Sequence, residues 1–250
     1  MAKRKGTLAA LLSDQGFGTH KDCIKLVRKG GVRLGREAAG SIQWTVAQDP
    51  DAQVTPEGLH LGVGALEIPW RDRLYLAFHK PAGAECSHTP SHHQSVFSFF
   101  PEPFLRRKLE TVGRLDADTT GLLFLTDSGA FNHHLTSPRK HVPKTYRVGV
   151  KHPISPEQIA ELTAGVELRG EDGTTLPAQV ELLAERSCDL TVQEGKYHQV
   201  KRMFAAVGNR VESIHRTAIG PVRLEADLPE GQWRWLDAGE LASLGFKEPA

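Results

Sequence analysis

The stretch that decides the fold is GRLDADTTGLL, at residues 113–123. It places two carboxylates, Asp116 and Asp118, beside two threonines and an arginine in a short segment flanked by glycines. The apolar run that continues to Thr126 has the length and composition of a buried strand, so the polar residues form a loop that enters it. Asp and Thr side chains often bind turn amides, so a purely structural loop stays open beside a catalytic one.

Two later segments carry further polar residues of interest. The strand that begins with KTY at 144–146 alternates Tyr146 and two valines with smaller or charged residues. The segment GKYHQVKRMF at 195–204 begins in a turn and continues as a helix that ends at Gly208. Its apolar residues, Val200, Met203, Phe204 and Val207, form a buried stripe. Helical spacing puts three polar residues on one face: His198, Lys201 and Arg202.

Composition excludes several classes of protein. The chain has 250 residues, a formal net charge of +1 and 39% hydrophobic residues, which is ordinary for a folded globular protein. Its three cysteines have no CxxC spacing, and no apolar stretch is long enough to span a membrane or form a signal peptide. We predict a cytoplasmic protein without disulfides, metal site or membrane contact.

The near-neutral total hides segregated charge. Residues 1–36 contain nine Lys and Arg against two acids, whereas residues 155–194 contain two against nine. Basic clusters recur at 139–151, with no acid, and at 196–216, with one. Charge runs are often merely solvated, but separate basic clusters on a balanced chain favour a surface that binds a polyanion such as RNA.

The pattern of the first 64 residues predicts a small basic module. A helix over 7–15 stops at Gly16, and a second begins at Thr19 and ends at 30–31. On the second helix one face is basic, with Lys21, Lys25, Arg28 and Lys29. A strand begins at 32–34, a turn follows at 35–36, and the region to about Trp70 has the Pro- and Gly-containing composition of a linker. These helices and the basic turn resemble the S4 RNA-binding module.

The three motifs, in this order and behind an S4-like module, resemble the RsuA-type pseudouridine synthases of bacterial ribosomal RNA. The resemblance covers nearly the whole chain. Residues 197–202, YHQVKR, are closer to the small-subunit (16S) RNA enzymes than to the large-subunit (23S) ones, which more often read NRQIRR. The resemblance implies isomerisation of a uridine in 16S ribosomal RNA by a monomer that needs no cofactor. A 23S synthase and a non-catalytic ribosome-assembly factor that binds RNA are the alternatives.

The resemblance also implies roles for individual residues. Asp116 matches the family's catalytic aspartate, and Lys201 matches the basic partner that would keep it ionised. Tyr146 matches the tyrosine that stacks on the extruded uracil. Two more residues are expected to bind RNA: Arg114, which would fill the gap left in the base stack, and Arg202, the reserve partner for Asp116.

Two further residues complete the predicted site. Lys80 is expected to hold a phosphate or the pocket loop, and Asp118 to be a structural acid of that loop. A glycoside hydrolase that uses Asp116 with Asp118 is a rival, but an i, i+2 pair in one loop gives no assurance of opposed carboxylates.

The predicted fold is α+β, because strands and a few helices follow one another irregularly after residue 72. The resemblance adds that the core is a mainly antiparallel, bisected sheet with the active-site cleft across it. We predict an S4-like RNA-binding domain at 1–64 and a catalytic domain at 72–250.

Overall fold

A computed structural model describes residues 6–248; the basic segment 1–5 and the last two residues lie outside it. The chain divides into two compact units. The first takes in the chain up to Leu74 together with Phe100–Leu109, and the second takes in Tyr75–Phe99 and the chain from Glu110 onward. None of the helices within residues 6–248 is long and apolar enough to cross a membrane.

The first unit combines three short helices with a small antiparallel sheet. Its elements are β1 (Gly6–Thr7), α1 (Leu8–Asp14), α2 (His20–Arg28), β2 (Val32–Ala38), β3 (Ser41–Val46), β4 (Gln53–Val54), β5 (Leu59–Val63), β6 (Leu66–Pro69) and α3 (Glu102–Arg106). The sheet has the order β3-β2-β5-β6, and β1 pairs with β4. Buried residues of α1, α2, β2 and β5 form one apolar core.

The two N-terminal helices follow their capping signals. Thr7 caps α1, and Thr19 forms a capping box with Asp22 at the start of α2. Cys23 and Val27 of α2 are buried. The four basic residues of its other face are exposed as predicted: Lys21, Lys25, Arg28 and Lys29.

The predicted turn at 35–36 and the linker that follows it are wrong. Strand β2 continues through Gly35 to Ala38, and the chain turns at Ala39 and Gly40, both with positive φ. Residues 41–69 supply β3 to β6. Gly35 belongs in a strand because the Trp44 ring of β3 packs on it: a Cβ there would lie 2.9 Å from the indole.

The second unit is built on a nine-stranded sheet. The strands of this unit, inside and outside the sheet, are β7 (Tyr75–Lys80), β8 (Ala84–Glu85), β9 (Gln94–Ser95), β10 (Glu110–Thr111), β11 (Thr120–Thr126), β12 (Lys144–Val150), β13 (Gln179–Ala184), β14 (Ser187–Val192), β15 (Val211–Ile219), β16 (Val222–Arg223) and β17 (Trp233–Trp235). Its helices are α4 (Gly129–Thr136), α5 (Pro156–Ala164), α6 (Gln199–Ala206) and α7 (Ala238–Ser243). Strands β8 and β9 form a separate parallel pair.

The large sheet is mixed, which refines the predicted mainly antiparallel arrangement. Its central path is β13-β14-β12-β15-β11-β7-β17, with β10 beside β11 and β16 beside β15. Among the described strands of this sheet, β11 and β15 form the only parallel pair. A parallel pair needs a long connection, and β15 reaches β11 only after the chain has passed through β12 to β14 and α6. The α+β content itself agrees with the prediction.

Two apolar clusters hold helices against this sheet. Leu162 of α5 and Phe204 of α6 pack with residues of β12 and β14, and Phe131 of α4 packs with Phe124 of β11 and Tyr75 of β7. Capping boxes begin α5 at Ser155 and α7 at Asp237. The packing leaves the segment 113–119, which precedes β11, at the edge of a cavity.

Candidate active site

A cavity of about 690 Å³ opens in the second unit beside the loop 113–119. The segment 193–201, which leads into α6, forms another part of its wall, and residues of β12 and β15 also line it. A volume of this size accommodates a small organic group such as a nucleoside. The first and third sequence motifs, about 80 positions apart, therefore meet at one site, together with Lys144 and Tyr146 of the second.

The close approach of β11 to β15 fixes the end of the loop. Gly121 has φ +106°, and a Cβ there would lie 2.3 Å from the carbonyl oxygen of Arg216 on β15. Only glycine fits both the backbone conformation and the space. The loop 113–119 is thereby anchored immediately before the strand.

Asp116 lies between two basic side chains. The Lys201 ammonium is 3.3 Å from Oδ2, and the His198 imidazole Nε2 is 3.3 Å from Oδ1. The Asp116 side chain is 31% exposed, so the carboxylate is accessible from the cavity that it lines. The predicted pairing of Asp116 with Lys201 is thus present as a direct contact.

Lys201 also binds the second loop carboxylate. Its ammonium lies 2.8 Å from each oxygen of Asp118, and this hydrogen bond lowers the pKa of Asp118. Burial opposes the charge of Lys201, but the hydrogen bonds and charges of Asp118 and Asp116 outweigh it and raise the pKa of the lysine. Asp118 is therefore a partner of Lys201 as well as a loop residue.

His198 owes its position to the backbone. It precedes α6 with φ +48°, a left-handed conformation that is uncommon for a residue other than glycine. Its ring stacks on Tyr197, with the ring centroids 3.8 Å apart. The sequence pattern places His198 only on one helix face with Lys201 and Arg202, so its contact with Asp116 is a feature that the motif does not reveal.

Arg202 is not a partner of Asp116, contrary to its prediction as the reserve cation. Its guanidinium pairs with Glu171, which also binds Lys196 at 2.7 Å, and donates to the carbonyl of Arg169. On a helix, successive residues are rotated by about 100°. Lys201 and Arg202 therefore point toward different neighbours, and contact of Arg202 with RNA remains a prediction.

Lys80 is not an RNA ligand. Its side chain is fully buried, and its ammonium donates to the carbonyls of Pro81, Ala117 and Thr119 at 2.8–3.3 Å. Burial lowers its pKa. Of the two roles expected of Lys80, the structure supports holding the loop that carries Asp116, because three carbonyl oxygens occupy the ammonium and no phosphate could reach it.

Tyr146 and Arg114 both line the cavity. The Tyr146 hydroxyl lies 3.4 Å from Nη1 of Arg216, whose guanidinium carbon is 5.9 Å from the centre of the tyrosine ring. Arg114 is exposed. The structure thus brings Arg114, Asp116, Tyr146 and Lys201 to one cavity, while the basic residues of α2 belong to the other unit.

The cavity also contains residues that the motifs did not single out, among them Cys86 and Arg216. Arg216 comes from a strand that carries no recognisable motif, so only the sheet register could place it there. Burial raises the pKa of the Cys86 thiol. Within residues 6–248 no group of three or more His, Cys, Asp or Glu side chains could hold a metal ion.

The loop 113–119, helix α6 and Tyr146 together define the class of protein that the sequence motifs suggest. The profile of the family described as RNA pseudouridylate synthase matches residues 74–206. The chain belongs to this family, and the resemblance to RNA-modifying isomerases of the pseudouridine synthase type is confirmed.

More specific relatives cover most of the chain. A protein of Haemophilus influenzae is 38% identical over 229 residues, 88% of this chain and 95% of the relative. A protein of Pasteurella multocida is 43% identical over 227 residues, 90% of this chain and 94% of the relative. Both are named ribosomal small subunit pseudouridine synthase A. A solved structure described as a pseudouridylate synthase matches with a TM-score of 0.66 at 36% identity, covering 95% of this chain and 99% of the other.

Proposed function

We propose that this protein converts one uridine of small-subunit ribosomal RNA to pseudouridine, with Asp116 as the catalytic carboxylate. The observation that carries the proposal is the Asp116 carboxylate, partly exposed in a cavity of nucleoside size and contacted by Lys201 and His198. Relatives named as small-subunit synthases support the choice of RNA.

The reaction breaks the bond between N1 of uracil and C1′ of ribose and joins C5 to C1′. C5 loses a proton and N1 gains one, so no atom enters or leaves overall. A carboxylate suits reactions at an anomeric carbon, where it acts as a nucleophile or base toward an electron-poor centre. In either role the carboxylate carries negative charge, and the Lys201 ammonium 3.3 Å away is placed to pair with it.

The target base has to leave the RNA helix or loop before it can react. C1′ is inaccessible to a carboxylate while the base is stacked, so the nucleotide turns out of the stack and enters the cavity. Tyr146 would stack on the extruded uracil, and Arg114, exposed beside the loop, would take the vacated place in the stack.

For the first unit we propose an S4-like RNA-binding role, with residues 1–64 as the domain and 72–250 as the catalytic domain. The support is the exposed basic face of α2, formed by Lys21, Lys25, Arg28 and Lys29. Such a face neutralises backbone phosphates without reading sequence. We further propose that the protein acts in the cytoplasm as a monomer.

The test is a map of pseudouridine in RNA treated with the purified protein. Small-subunit RNA, its partly assembled particles, large-subunit RNA and transfer RNA are offered separately. We expect one new pseudouridine in the small-subunit RNA or its particles. Modification of large-subunit RNA alone would identify a 23S enzyme, and binding without modification of any RNA would favour the non-catalytic assembly factor.

A further inference from the structure

Two basic residues in the cavity wall, Lys144 and Arg216, have no carboxylate partner among the described residues. Lys144 donates to the carbonyl of Val142 at 2.9 Å. Arg216 donates from Nε to the carbonyl of Leu122 at 2.7 Å and from Nη1 to the Tyr146 hydroxyl. Its Nη2 is buried and has no hydrogen-bond acceptor. These two cations differ from Lys201, whose charge is met by two aspartates.

Both groups are removed from water, Arg216 almost completely and Lys144 in part. The exposed fraction of Arg216 is 2%. Burial, together with the positive charge of Arg216, lowers the pKa of Lys144 to about 8. Two neighbouring cations without an acidic partner are unfavourable in a protein interior, and such arrangements are concentrated at functional sites. A negatively charged or strongly accepting group of a ligand would satisfy both.

We propose that Lys144 and Arg216 bind the carbonyl edge of the target uracil and stabilise the negative charge that it gains as its glycosidic bond breaks. This inference rests on the proposed function. When the N1–C1′ bond breaks, its electron pair stays with uracil and spreads onto O2 and O4. The same electrons form the C5–C1′ bond, after which the C5 proton is lost and N1 is protonated. Two fixed cations stabilise this charge more than the neutral base.

The depth of Arg216 favours the base over a backbone phosphate as the ligand. Because Arg216 is almost fully buried and contacts Tyr146, it meets the part of the substrate that enters deepest. An extruded nucleotide inserts its base first, while its phosphates stay with the RNA backbone.

The experiment combines changes in enzyme and substrate. The mapped target uridine is replaced by 2-thiouridine or 4-thiouridine in a synthetic RNA, since sulfur is a weaker hydrogen-bond acceptor than oxygen. Single-turnover rates are measured for the full-length wild type and for Lys144→Met. We expect the wild type to be slower on at least one thio-substrate by about tenfold, as for loss of a charged hydrogen bond. Lys144→Met should already be slow on uridine, and its rate should fall little further on the thio-substrate.

Control variants keep the result interpretable. Lys144→Arg retains the charge and should recover part of the rate and of the discrimination against sulfur. Arg216→Lys repeats the test at the second cation, and thermal unfolding checks its folding because Arg216 also binds the Leu122 carbonyl. If Arg216→Lys does not fold, the comparison of Lys144→Met with Lys144→Arg decides the test.

Two results would overturn the inference. One is an equal effect of sulfur on the wild type and on Lys144→Met. The other involves a substrate in which a phosphate next to the target is replaced by an uncharged methylphosphonate. If this replacement, and not sulfur, slows the wild type much more than Lys144→Met, Lys144 would be assigned to the RNA backbone. A wild type that forms no pseudouridine in any unmodified RNA would contradict the proposed function itself.

Discussion

The Lys201 ammonium lies 3.3 Å from Asp116, although the two residues are 85 positions apart in the chain. The same ammonium lies closer, at 2.8 Å, to both oxygens of Asp118. One cation thus serves two carboxylates of unequal exposure: the Asp116 side chain is 31% exposed and that of Asp118 is 70% exposed. This arrangement makes the roles of the three residues separable by substitution.

Lys201→Met should lower the rate of pseudouridine formation at neutral pH by at least tenfold. Without the ammonium, Asp118 loses the hydrogen bond that lowers its pKa, and the two neighbouring carboxylates repel each other. The acid limb of the single-turnover rate profile should therefore move to higher pH, with partial recovery of the rate as pH rises. Lys201→Arg should keep most of the activity because it restores the charge.

Arg202→Met is the matched control for Lys201→Met. It removes a neighbouring cation of the same helix that pairs with Glu171 instead of Asp116. Its rate profile should keep the wild-type acid limb, even if RNA affinity falls. A shifted limb in Arg202→Met, with none in Lys201→Met, would reverse the assignment of the two basic residues.

Asp118→Asn should reduce the rate less than tenfold. The amide can still accept a hydrogen bond from Lys201, and Asp116 is left as the ammonium's remaining carboxylate. We expect a change in the acid limb without loss of the chemical step, measured by single-turnover kinetics at saturating RNA. An inactive Asp118→Asn that still binds RNA would show that both carboxylates react, as in the glycoside hydrolase alternative.

Lys144→Met should stabilise the protein without RNA at pH 7 by about 1 kcal/mol, because it removes a buried charge. Native Lys144 has a pKa of about 8, below its ordinary value of 10.5, so between these values the unfolded state binds more protons. The contribution of Lys144 to the free energy of unfolding of the wild type therefore rises with pH across that window. The advantage of Lys144→Met, measured by urea unfolding, should shrink as pH rises above 8; a constant advantage would contradict the lowered pKa.

Replacing Lys21, Lys25, Arg28 and Lys29 by glutamine should weaken RNA binding and flatten its salt dependence. Each lost phosphate contact reduces the slope of log affinity against log salt by about 0.7–0.9. Turnover at saturating RNA should be largely kept, because these residues belong to the first unit. The charge-preserving control exchanges Lys and Arg at the same four positions. An unchanged slope in the glutamine variant would show that this face does not bind RNA.

Local sequence signals predicted much of the secondary structure. A capping residue such as Thr19 acts through its own helix turn, and a buried strand before Thr126 is evident from its apolar run. The strands between residues 41 and 69 were missed because glycines and prolines suggested a linker. Gly35 lies within a strand because of Trp44, a contact that composition does not reveal.

The candidate site was predictable only where a motif existed. Asp116, Tyr146 and Lys201 followed from family resemblance, and the structure brings them to one cavity. The partners of each cation depend on packing: helix rotation turns Arg202 away from Asp116, and burial commits Lys80 to three carbonyls. Arg216 reaches the cavity because β15 lies between β11 and β12, which is a property of the sheet order.

The most direct measurement compares pseudouridine formation by the wild type and by Asp116→Asn on small-subunit ribosomal RNA or its partly assembled particles. Asparagine keeps the shape of the side chain but can act neither as nucleophile nor as base. We expect one uridine to be converted by the wild type and none by Asp116→Asn, with RNA affinity unchanged within a few-fold and Asp118→Asn still active. Wild-type turnover by purified Asp116→Asn, free of contaminating enzyme, would contradict the assignment of Asp116 as the catalytic carboxylate.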